Sequence, residues 1–465
     1  MDLRELAEAA LKEAGRSGAS QAEVFASVAR TVSVYVDDGR IKNAEEKSDQ
    51  GIAVRALKGR KIAQASSTCI SAEEAERCAR AASRLADLTP ASRAYDSLPH
   101  PLSSAAGVNN LDPRVVDLQA GELNEIAMEV AAAASDRGVK VPKGMVRAGS
   151  VTTLVLNSNG VDIAHDNTLV YSEFGSMADG PSPGEGVKNF TSPRLSDLDP
   201  TKLGAELAEQ AKAARDAKAL KGSSRLPVLI CPGELGEMFD LSVGTAASGE
   251  SVNKKRSPWT GMEGKEVSSR SVTVLDDPTD PRAVLSAPYD DEGVPASPKK
   301  IIEDGVLRTF LYDSYNAAVA GKRPSGNGVR RSAVNSQYQF QFPLTAGHLN
   351  LVVEPGARSR DEMIASLDEG AVVEKFAHPD VNGISGAFAL EVRLGHLVKN
   401  GSVVSHFKHA LLVGNMYEAL RNVLEIGNDP EAVGSVIVPS MVFDGLELVG
   451  APSISPHPFR YGSSP

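Results

Sequence analysis

The sequence predicts an α+β protein in which N-terminal helix and hairpin units precede a mainly β C-terminal domain. Helical spacing and strand alternation follow one another twice before residue 222, whereas short apolar runs and glycine turns dominate after residue 260. A chain of 465 residues is also too long for one ordinary core. We therefore expect an N-terminal unit at 1–90, a linker at 91–113, a central unit at 114–222 and a C-terminal domain at 223–465.

The N-terminal unit is predicted to contain a helix, a hairpin and a second helix. Apolar residues share one helical face over residues 1–15. A strand with alternating valines then meets the turn Asp37-Asp38-Gly39, and 51–57 is a further strand candidate. Ser71 begins a capping box, which predicts a helix that ends near Leu88.

The central unit repeats this order. We predict a helix near 118–135, strands at 144–157 and 161–173, a loop at 179–186 and an alanine-rich helix near 201–221. The recurrence hints at an internal duplication, which the pattern alone does not prove.

The C-terminal domain begins with an apolar strand candidate at 226–231, followed by a helical pattern over 233–250. Further on, 306–311 reads as a strand that leaves a glycine turn. A later hairpin has a first arm that begins at 387–394, and Asn400-Gly401 is its predicted turn.

The composition favours a cytoplasmic protein that binds neither nucleic acid nor membrane. The net charge of −11 opposes non-specific binding to polyanions. No apolar run approaches membrane-spanning length, and the start reads as a charged helix rather than a signal peptide. Three cysteines do not make a disulfide framework. The basic pairs Lys299-Lys300 and Arg330-Arg331 are expected to be solvated charge.

Residues 233–250 read GELGEMFDLSVGTAASGE, and they resemble the segment that carries the HExxxH zinc motif in the TldD/PmbA family of peptidases. In a gapless alignment, the three working positions of the motif fall on Asp240, Leu241 and Thr245. A hydrolytic zinc needs imidazole or thiolate ligands and a carboxylate that takes a proton from the bound water. Leu241 cannot accept a proton and Thr245 is a poor ligand. The family's third ligand is a cysteine near the C-terminus, and Val433 stands at that position.

Several short segments after residue 289 also resemble this family, and their order along the chain is more specific than any one of them. They are 290–294, 301–307, 311–317, 324–328, 380–386, 414–416 and 426–429. The acidic run 290–292 lacks the further oxygen ligands that calcium requires, so a turn that lines an interface is the favoured interpretation. The candidate substrate or interface residues are Asp291, Glu292, Gly326, Asn327, Gly328 and Asn415.

Within the family, the lack of metal ligands makes this chain resemble the PmbA (TldE) subunits. The resemblance implies a non-catalytic subunit without catalytic residues or metal of its own, paired with a zinc-bearing TldD-like subunit. Such a heterodimer would degrade or trim extended peptides in the cytoplasm. Two alternatives stay open. One is a free-standing hydrolase with an unrecognised site, and the other is a peptide-binding or regulatory protein that is not an enzyme.

Two other motifs invite a chemical interpretation. Ser182 lies in a GxSxG string, but the prolines on both sides of it favour an open loop over a nucleophile elbow. His406 and His409 are the only close histidine pair. With a simple two-residue turn at Asn400-Gly401, His396 would face Ser405, and the close pair would point to opposite faces of the strand. A metal role for that pair is therefore not favoured.

Overall fold

The structure is a computed structural model, and it describes residues 2–69, 71–103, 107–330 and 339–450. Residues 451–465 of the predicted C-terminal domain, and Arg331 of the second basic pair, lie outside the described residues. Within the described ranges, no helix is both long and apolar enough to cross a membrane.

The N-terminal elements agree with the prediction. They are α1 (Leu3–Arg16), β1 (Gln21–Asp37), β2 (Arg40–Lys58), β3 (Lys61–Thr68) and α2 (Ala72–Leu88). Asp38 and Gly39 connect β1 to β2 with φ angles of 50° and 69°, which is the geometry of a tight hairpin turn. Ser71 Oγ accepts a hydrogen bond from the Glu74 N–H at 3.3 Å, so the predicted N-cap of α2 is confirmed.

The central elements confirm the predicted helices and strands but add a strand. They are α3 (Pro113–Val116), α4 (Ala120–Ser135), β4 (Lys140–Asn157), β5 (Asp162–Ala178), β6 (Gly184–Ser192) and α5 (Pro200–Asp216). The predicted loop at 179–186 was wrong from Gly184 onward. A Cβ atom at Gly184 would lie 2.1 Å from the Ala211 carbonyl oxygen. This glycine is therefore needed for the close approach of α5 to β6 rather than for a turn. Helix α5 also ends at Asp216, before the predicted Lys221.

The N-terminal and central units share one antiparallel sheet of six strands, in the order β3-β2-β1-β4-β5-β6. Its middle is the long pairing of β1 with β4, in which Val28 faces Thr152. Each half has the order helix, three strands, helix, as the duplication hint suggested. Even-numbered residues of β1, such as Val24 and Val34, face the helices, whereas Phe25 packs on Phe340 of the C-terminal domain.

The C-terminal domain consists of many short strands and short helices. Its first elements are β7 (Lys218–Ala219), β8 (Ser223–Arg225), β9 (Val228–Ile230), α6 (Pro232–Phe239), α7 (Thr245–Ala247), α8 (Gly249–Asn253), β10 (Val274–Asp276), β11 (Lys299–Glu303), β12 (Val306–Leu307), α9 (Ser314–Ala320), β13 (Gly328–Val329) and β14 (Thr345–Ala346). The next are β15 (Leu351–Val353), α10 (Arg360–Ala365), β16 (Glu369–Phe376), β17 (Ala387–Lys399), β18 (Ser402–Lys408), β19 (Ala410–Asn415) and α11 (Met416–Arg421). The last are β20 (Val423–Ile426), β21 (Glu431–Val433), β22 (Val436–Val438), β23 (Met441–Phe443) and β24 (Glu447–Val449).

These strands form two larger sheets that enclose α6. One sheet has the order β12-β11-β10-β15-β22-β21, and the other has the order β20-β23-β9-β16-β17-β19-β24-β8, joined by β18 and β7. Leu235, Met238 and Phe239 of α6 are fully buried in the core between them. The predicted α+β class with a mainly β C-terminal half is confirmed. The strand predicted at 306–311 is shorter, because β12 ends at Leu307 and Leu311 forms a bridge with Ser248 instead.

The predicted hairpin is present, but its register differs from the prediction. Asn400 and Gly401 form the turn with φ angles of 48° and 72°. A β-bulge follows, because Val398 pairs with Val403 while Leu397 pairs with Ser405. His396 therefore faces His406. The simple two-residue turn had predicted Ser405 at this place, so that prediction was wrong.

Candidate functional site

The helix that resembles the zinc-motif segment runs from α6 into α7 through a single π turn at Asp240–Gly244. It begins directly after β9, with Pro232 in the first helical position. Residues five apart lie about 140° from each other around an α-helix, and a π turn brings them closer to one face. The π turn thus brings the side chains of residues 240 and 245 closer to one face of the helix. These are the positions at which HExxxH would place its two histidines.

Asp240 is held by a histidine that the sequence analysis missed. Its Oδ1 atom lies 3.1 Å from His348 Nε2, and Ser435 Oγ lies 3.2 Å from the same nitrogen. The Asp240 side chain is 51 % exposed, whereas that of His348 is 7 % exposed. A Cβ atom at Gly244 would lie 2.8 Å from the His348 ring, so the imidazole packs directly against the π turn. Only the tertiary structure brings these residues together, and no sequence signal marked them.

Leu241 and Thr245 are next to the 380–386 segment. Leu241 packs on the hydrophobic core with part of its surface exposed. A Cβ atom at Gly383 would lie 2.4 Å from the Leu241 carbonyl oxygen and 2.9 Å from Thr245 Oγ1. The hydroxyl of Tyr417 donates to the carbonyl oxygens of Ser242 and Gly383, which ties this loop to the helix.

Val433 packs on the same helix, one turn before Asp240. Its Cβ atom would lie 2.3 Å from a Cβ atom at Gly236. Three of the four aligned positions therefore lie on this helix, and the fourth, Val433 of β21, packs against it at Gly236. Among the residues that the structure describes, no group of three or more His, Cys, Asp and Glu side chains is arranged to hold a metal ion.

Glu292, a candidate interface residue, lies between the N-terminal sheet and the C-terminal domain. It is fully buried and accepts hydrogen bonds from Arg55 Nη2 at 2.6 Å and from the Ser314 N–H at 2.7 Å. Arg55 also pairs with Glu23. Burial, followed by the charge of Glu292, raises the pKa of Asp313 to about 7. The acidic run thus contributes to a contact between domains that is closed to solvent.

The neighbouring candidates have structural partners as well. Asp291 Oδ2 accepts a hydrogen bond from the Arg330 N–H at 2.6 Å. Arg330 is 2 % exposed, so the expectation that it is a solvated charge was wrong. Its position on the Phe25 ring explains the burial, because a guanidinium stacks favourably on an aromatic face. Burial lowers the pKa of Arg330 to about 10. Lys299 pairs with the buried Asp276 at 3.1 Å.

The 324–328 segment and Asn415 form hydrogen bonds and close contacts that fix the conformation of the neighbouring chain. Asn327 is fully buried and donates to Asp276 Oδ2 at 2.6 Å, and Gly326 has a φ of 71° with the Pro295 carbonyl 2.4 Å from its Cβ position. Gly328 donates its N–H to Asp290 Oδ2 at 2.8 Å. Asn415 caps α11 through its Oδ1 atom. A role for these residues in substrate or partner binding stays a prediction.

Ser182 of the GxSxG string is placed beside a lysine. Lys408 Nζ donates to Ser182 Oγ at 3.0 Å and to the Ala214 carbonyl oxygen at 2.9 Å, near the C-terminal end of α5. An ammonium group is favoured at this end of a helix. Because Lys408 donates both bonds, it does not provide Ser182 with a base.

A cavity of about 310 Å³ lies between the edges of two sheets. β6 is the last strand of the N-terminal sheet, and β21 is the last strand of the sheet that contains β10. Lys188 and Asn189 of β6 face Glu431 and Ala432 of β21 across this space, and Arg282 also lines it. A smaller neighbouring pocket continues to Val433 and to Cys231, whose thiol has its pKa raised to about 12 by burial.

Three family models match the chain in sequence. They describe PmbA/TldA metallopeptidase domain 1, the central domain and the C-terminal domain, and they match residues 22–86, 113–215 and 223–450. The chain is 26 % identical to the metalloprotease PmbA of Escherichia coli O157:H7, over 91 % of this chain and 92 % of that protein. It is 25 % identical to a metalloprotease TldD homolog of Haemophilus influenzae, over 88 % of this chain and 86 % of that protein. The crystal structure of TldE from Thermococcus kodakarensis has a TM-score of 0.87 at 22 % identity, covering 96 % of this chain and all of that chain, which shows the shared fold.

Proposed function

Because the chain belongs to the PmbA/TldD metallopeptidase family, we propose that it is the non-catalytic subunit of a zinc metallopeptidase. Its partner is a TldD-like subunit that carries the zinc, and the complex degrades or trims peptides in the cytoplasm. This subunit completes the dimer and shields the partner's site from folded proteins.

The proposal rests mainly on which residues stand at the aligned positions of the motif. Water activation by zinc requires neutral nitrogen or thiolate ligands and a carboxylate base. In place of these, Leu241 faces the core and Val433 packs on Gly236. The carboxylate of Asp240 is paired with His348. The backbone frame is kept, and the groups that would bind and use a metal are replaced by packing and one contact between a carboxylate and an imidazole.

The cavity between β6 and β21 supports a role in holding peptide. Each of these strands ends its sheet, so one side of each is not covered by a further strand, and on β6 the Val187 N–H is already bonded to Gln210. Strand addition binds extended peptides with little demand on their side chains, which suits a protease that accepts unfolded chains. Lys188 and Glu431 line the cavity with both signs of charge, and each also has a partner, Glu206 for Lys188 and Arg360 for Glu431.

Co-purification with a TldD-like protein, followed by peptide cleavage assays on each subunit and on the mixture, tests the proposal. We expect a stable complex and cleavage by the mixture, and no cleavage by this chain alone. A chain that cleaves peptides without a partner would contradict the proposal and favour the free-standing hydrolase. A chain that binds peptide but no TldD-like protein would favour the regulatory alternative.

A further inference from the structure

The β-bulge in the β17–β18 hairpin brings two histidines into direct contact. His396 Nδ1 lies 2.7 Å from His406 Nδ1, and the two rings meet edge to face. On its other side, His396 Nε2 lies 2.8 Å from Glu374 Oε2 of β16. A carboxylate accepts hydrogen bonds, so the neutral form of His396 carries its proton on Nε2 and presents a lone pair at Nδ1. His406 then donates its Nδ1–H to that lone pair.

This pair is the end of a hydrogen-bond chain that crosses from the C-terminal sheet to the central unit. Glu374 Oε1 accepts a hydrogen bond from Gln210 Nε2 of α5 at 3.2 Å. Gln210 Oε1 in turn accepts the Val187 N–H of β6 at 2.6 Å. Five elements, β18, β17, β16, α5 and β6, are thus connected through four side chains and one backbone group.

The geometry limits how many protons the pair can hold. A first added proton goes to Nε2 of His406 and leaves the contact between the two Nδ1 atoms intact. A second would have to go to Nδ1 of His396, where two N–H groups would face each other across 2.7 Å. The contact between the rings cannot survive that second proton, because neither nitrogen would then have a lone pair.

We propose that the His396–His406 pair is a pH-sensitive latch that holds β18 on β17, and with it the end of α5 that Lys408 of β18 binds, and that acid releases these elements. Release would loosen α5 and β6 beside the cavity between β6 and β21, because Gln210 of α5 binds β6 and lines the smaller neighbouring pocket. This inference does not depend on the proposed function.

The charges around the pair are consistent with a latch. Burial and the neighbouring His396 lower the pKa of His406, while Asp216 at the end of α5 and Glu374 act in the opposite direction. Asp216 is itself paired with Arg215. Burial opposes the ionisation of Glu374, but the hydrogen bond from His396, together with Lys188 of β6, lowers its pKa. A histidine whose pKa is lowered in the docked state stabilises docking above its ordinary pKa of about 6.5, and this contribution is lost as the pH falls below that value.

Hydrogen exchange of the full chain, corrected for the intrinsic rate at each pH, tests the latch. Between pH 6.5 and 5, protection of β6, α5 and the β17–β18 hairpin should fall by up to about tenfold per pH unit. His406→Gln should remove this loss. The control is His409→Gln, since the His409 side chain, directly after β18, is 58 % exposed and its change should leave the loss unchanged. An equal loss in His406→Gln and the parent, or no loss in the parent, would overturn the proposal.

A second measurement on the parent keeps the test independent of variant folding. The ring nitrogens of ¹⁵N-labelled histidine should show a coupled pair with one titration step clearly below 6.5. Two independent steps near 6.5 would overturn the latch. Exchange that changes when a chelator is added at neutral pH would also overturn it, since the two Nδ1 atoms would then hold a metal ion rather than a proton.

Discussion

His348 Nε2 lies 3.1 Å from Asp240 Oδ1, so the residue that we align with the first position of the zinc motif is paired with a side chain from another part of the C-terminal domain. His348 precedes β15, and Ser435, on the same nitrogen, precedes β22. The pairing therefore ties the π turn of the helix to the sheet beneath it. The His348 ring also fills the space next to Gly244.

We predict that the purified chain binds no stoichiometric zinc. Asp240, Leu241, Thr245 and Val433 supply neither imidazole nor thiolate at the motif positions. The measurement is elemental analysis of protein produced in zinc-supplemented medium. About one zinc per chain that is lost on changing His406 or His409 would contradict the prediction and place a metal site in the hairpin.

Peptide cleavage by the complex should depend on the metal of the partner. We expect a chelator to abolish cleavage by the mixture, because the chemistry lies in the TldD-like subunit. Asp240→Ala in this chain should change the rate by less than about twofold, since this carboxylate would act on no substrate. The assay is the initial rate on an unstructured peptide, with the parent complex as control. Cleavage by this chain alone that resists the chelator is incompatible with the proposed function.

Rebuilding the motif should create a zinc site. The changes Asp240→His, Leu241→Glu, Thr245→His and Val433→Cys supply the HExxxH residues and the third ligand. The quadruple variant should gain zinc affinity that each single change lacks, because the ligands act together on one ion. We expect little catalysis, since activation of water also requires groups that orient the ligands.

Zinc titration of the quadruple variant decides the outcome. Adding His348→Ala should raise the affinity further, because it removes the ring that packs against Gly244. No gain over the parent in either variant would mean that the four positions do not converge on one ion.

The contact between Gly236 and Val433 should tolerate no added methyl group. A Cβ atom at Gly236 would lie 2.3 Å from the Val433 Cβ atom, so Gly236→Ala should lower the free energy of unfolding by about 1–3 kcal/mol. Gly233→Ala, in the same helix, meets nothing within 4 Å and should change it by less than about 1 kcal/mol. Urea denaturation measures both. The double variant Gly236→Ala/Val433→Gly lacks the Cβ atom of residue 433 and should recover part of the loss, and failure to recover would show that the clash lies elsewhere.

Asp313 should make the fold less stable as the pH rises. Burial raises its pKa from an ordinary value near 3.8 to about 7, so the folded state binds a proton more tightly than the unfolded state. The stabilising contribution is complete below pH 3.8 and is lost as the pH rises through 7. Asp313→Asn keeps a residue able to cap α9 and cannot ionise.

Relative to the parent, Asp313→Asn should therefore gain stability between pH 5 and pH 7, by up to ~1.4 kcal/mol per pH unit, and the gain should level off above 7. Urea denaturation midpoints of both proteins across this range provide the measurement. A constant difference between the two at every pH would show that Asp313 does not titrate in this range.

Local patterns predicted the elements whose signals lie within a few residues. The capping box at Ser71, the Asp37-Asp38-Gly39 turn and the helical spacing of α1 are such signals, and all three elements formed as expected. The strand β6 was missed because its glycines serve contact with α5, which only the tertiary structure reveals. The shorter β12 has a similar origin, since Leu311 leaves the strand to pair with Ser248.

The candidate site was predictable as far as the resemblance extends. The resemblance aligns Asp240, Leu241, Thr245 and Val433 with the motif positions. In the structure, the first three lie on one helix and Val433 packs against it. The pairing of His348 with Asp240 joins residues more than one hundred positions apart, which no local pattern encodes. The His396–His406 contact depends on one extra residue in β18, and a simple turn rule cannot foresee a bulge.

The pairing of β1 with β4 makes the first two sequence units inseparable. These strands pair from Glu23 with Asn157 to Asp37 with Lys143, and the boundary between the two N-terminal family models falls between them. A fragment that begins after residue 107 would lack β1, so one edge of β4 would be unpaired along its whole length. So long an open strand is a template for association with other chains, so such a fragment would aggregate or form a strand-swapped dimer. Truncation at that boundary would therefore expose the unpaired edge of β4 to other chains rather than release an independent domain.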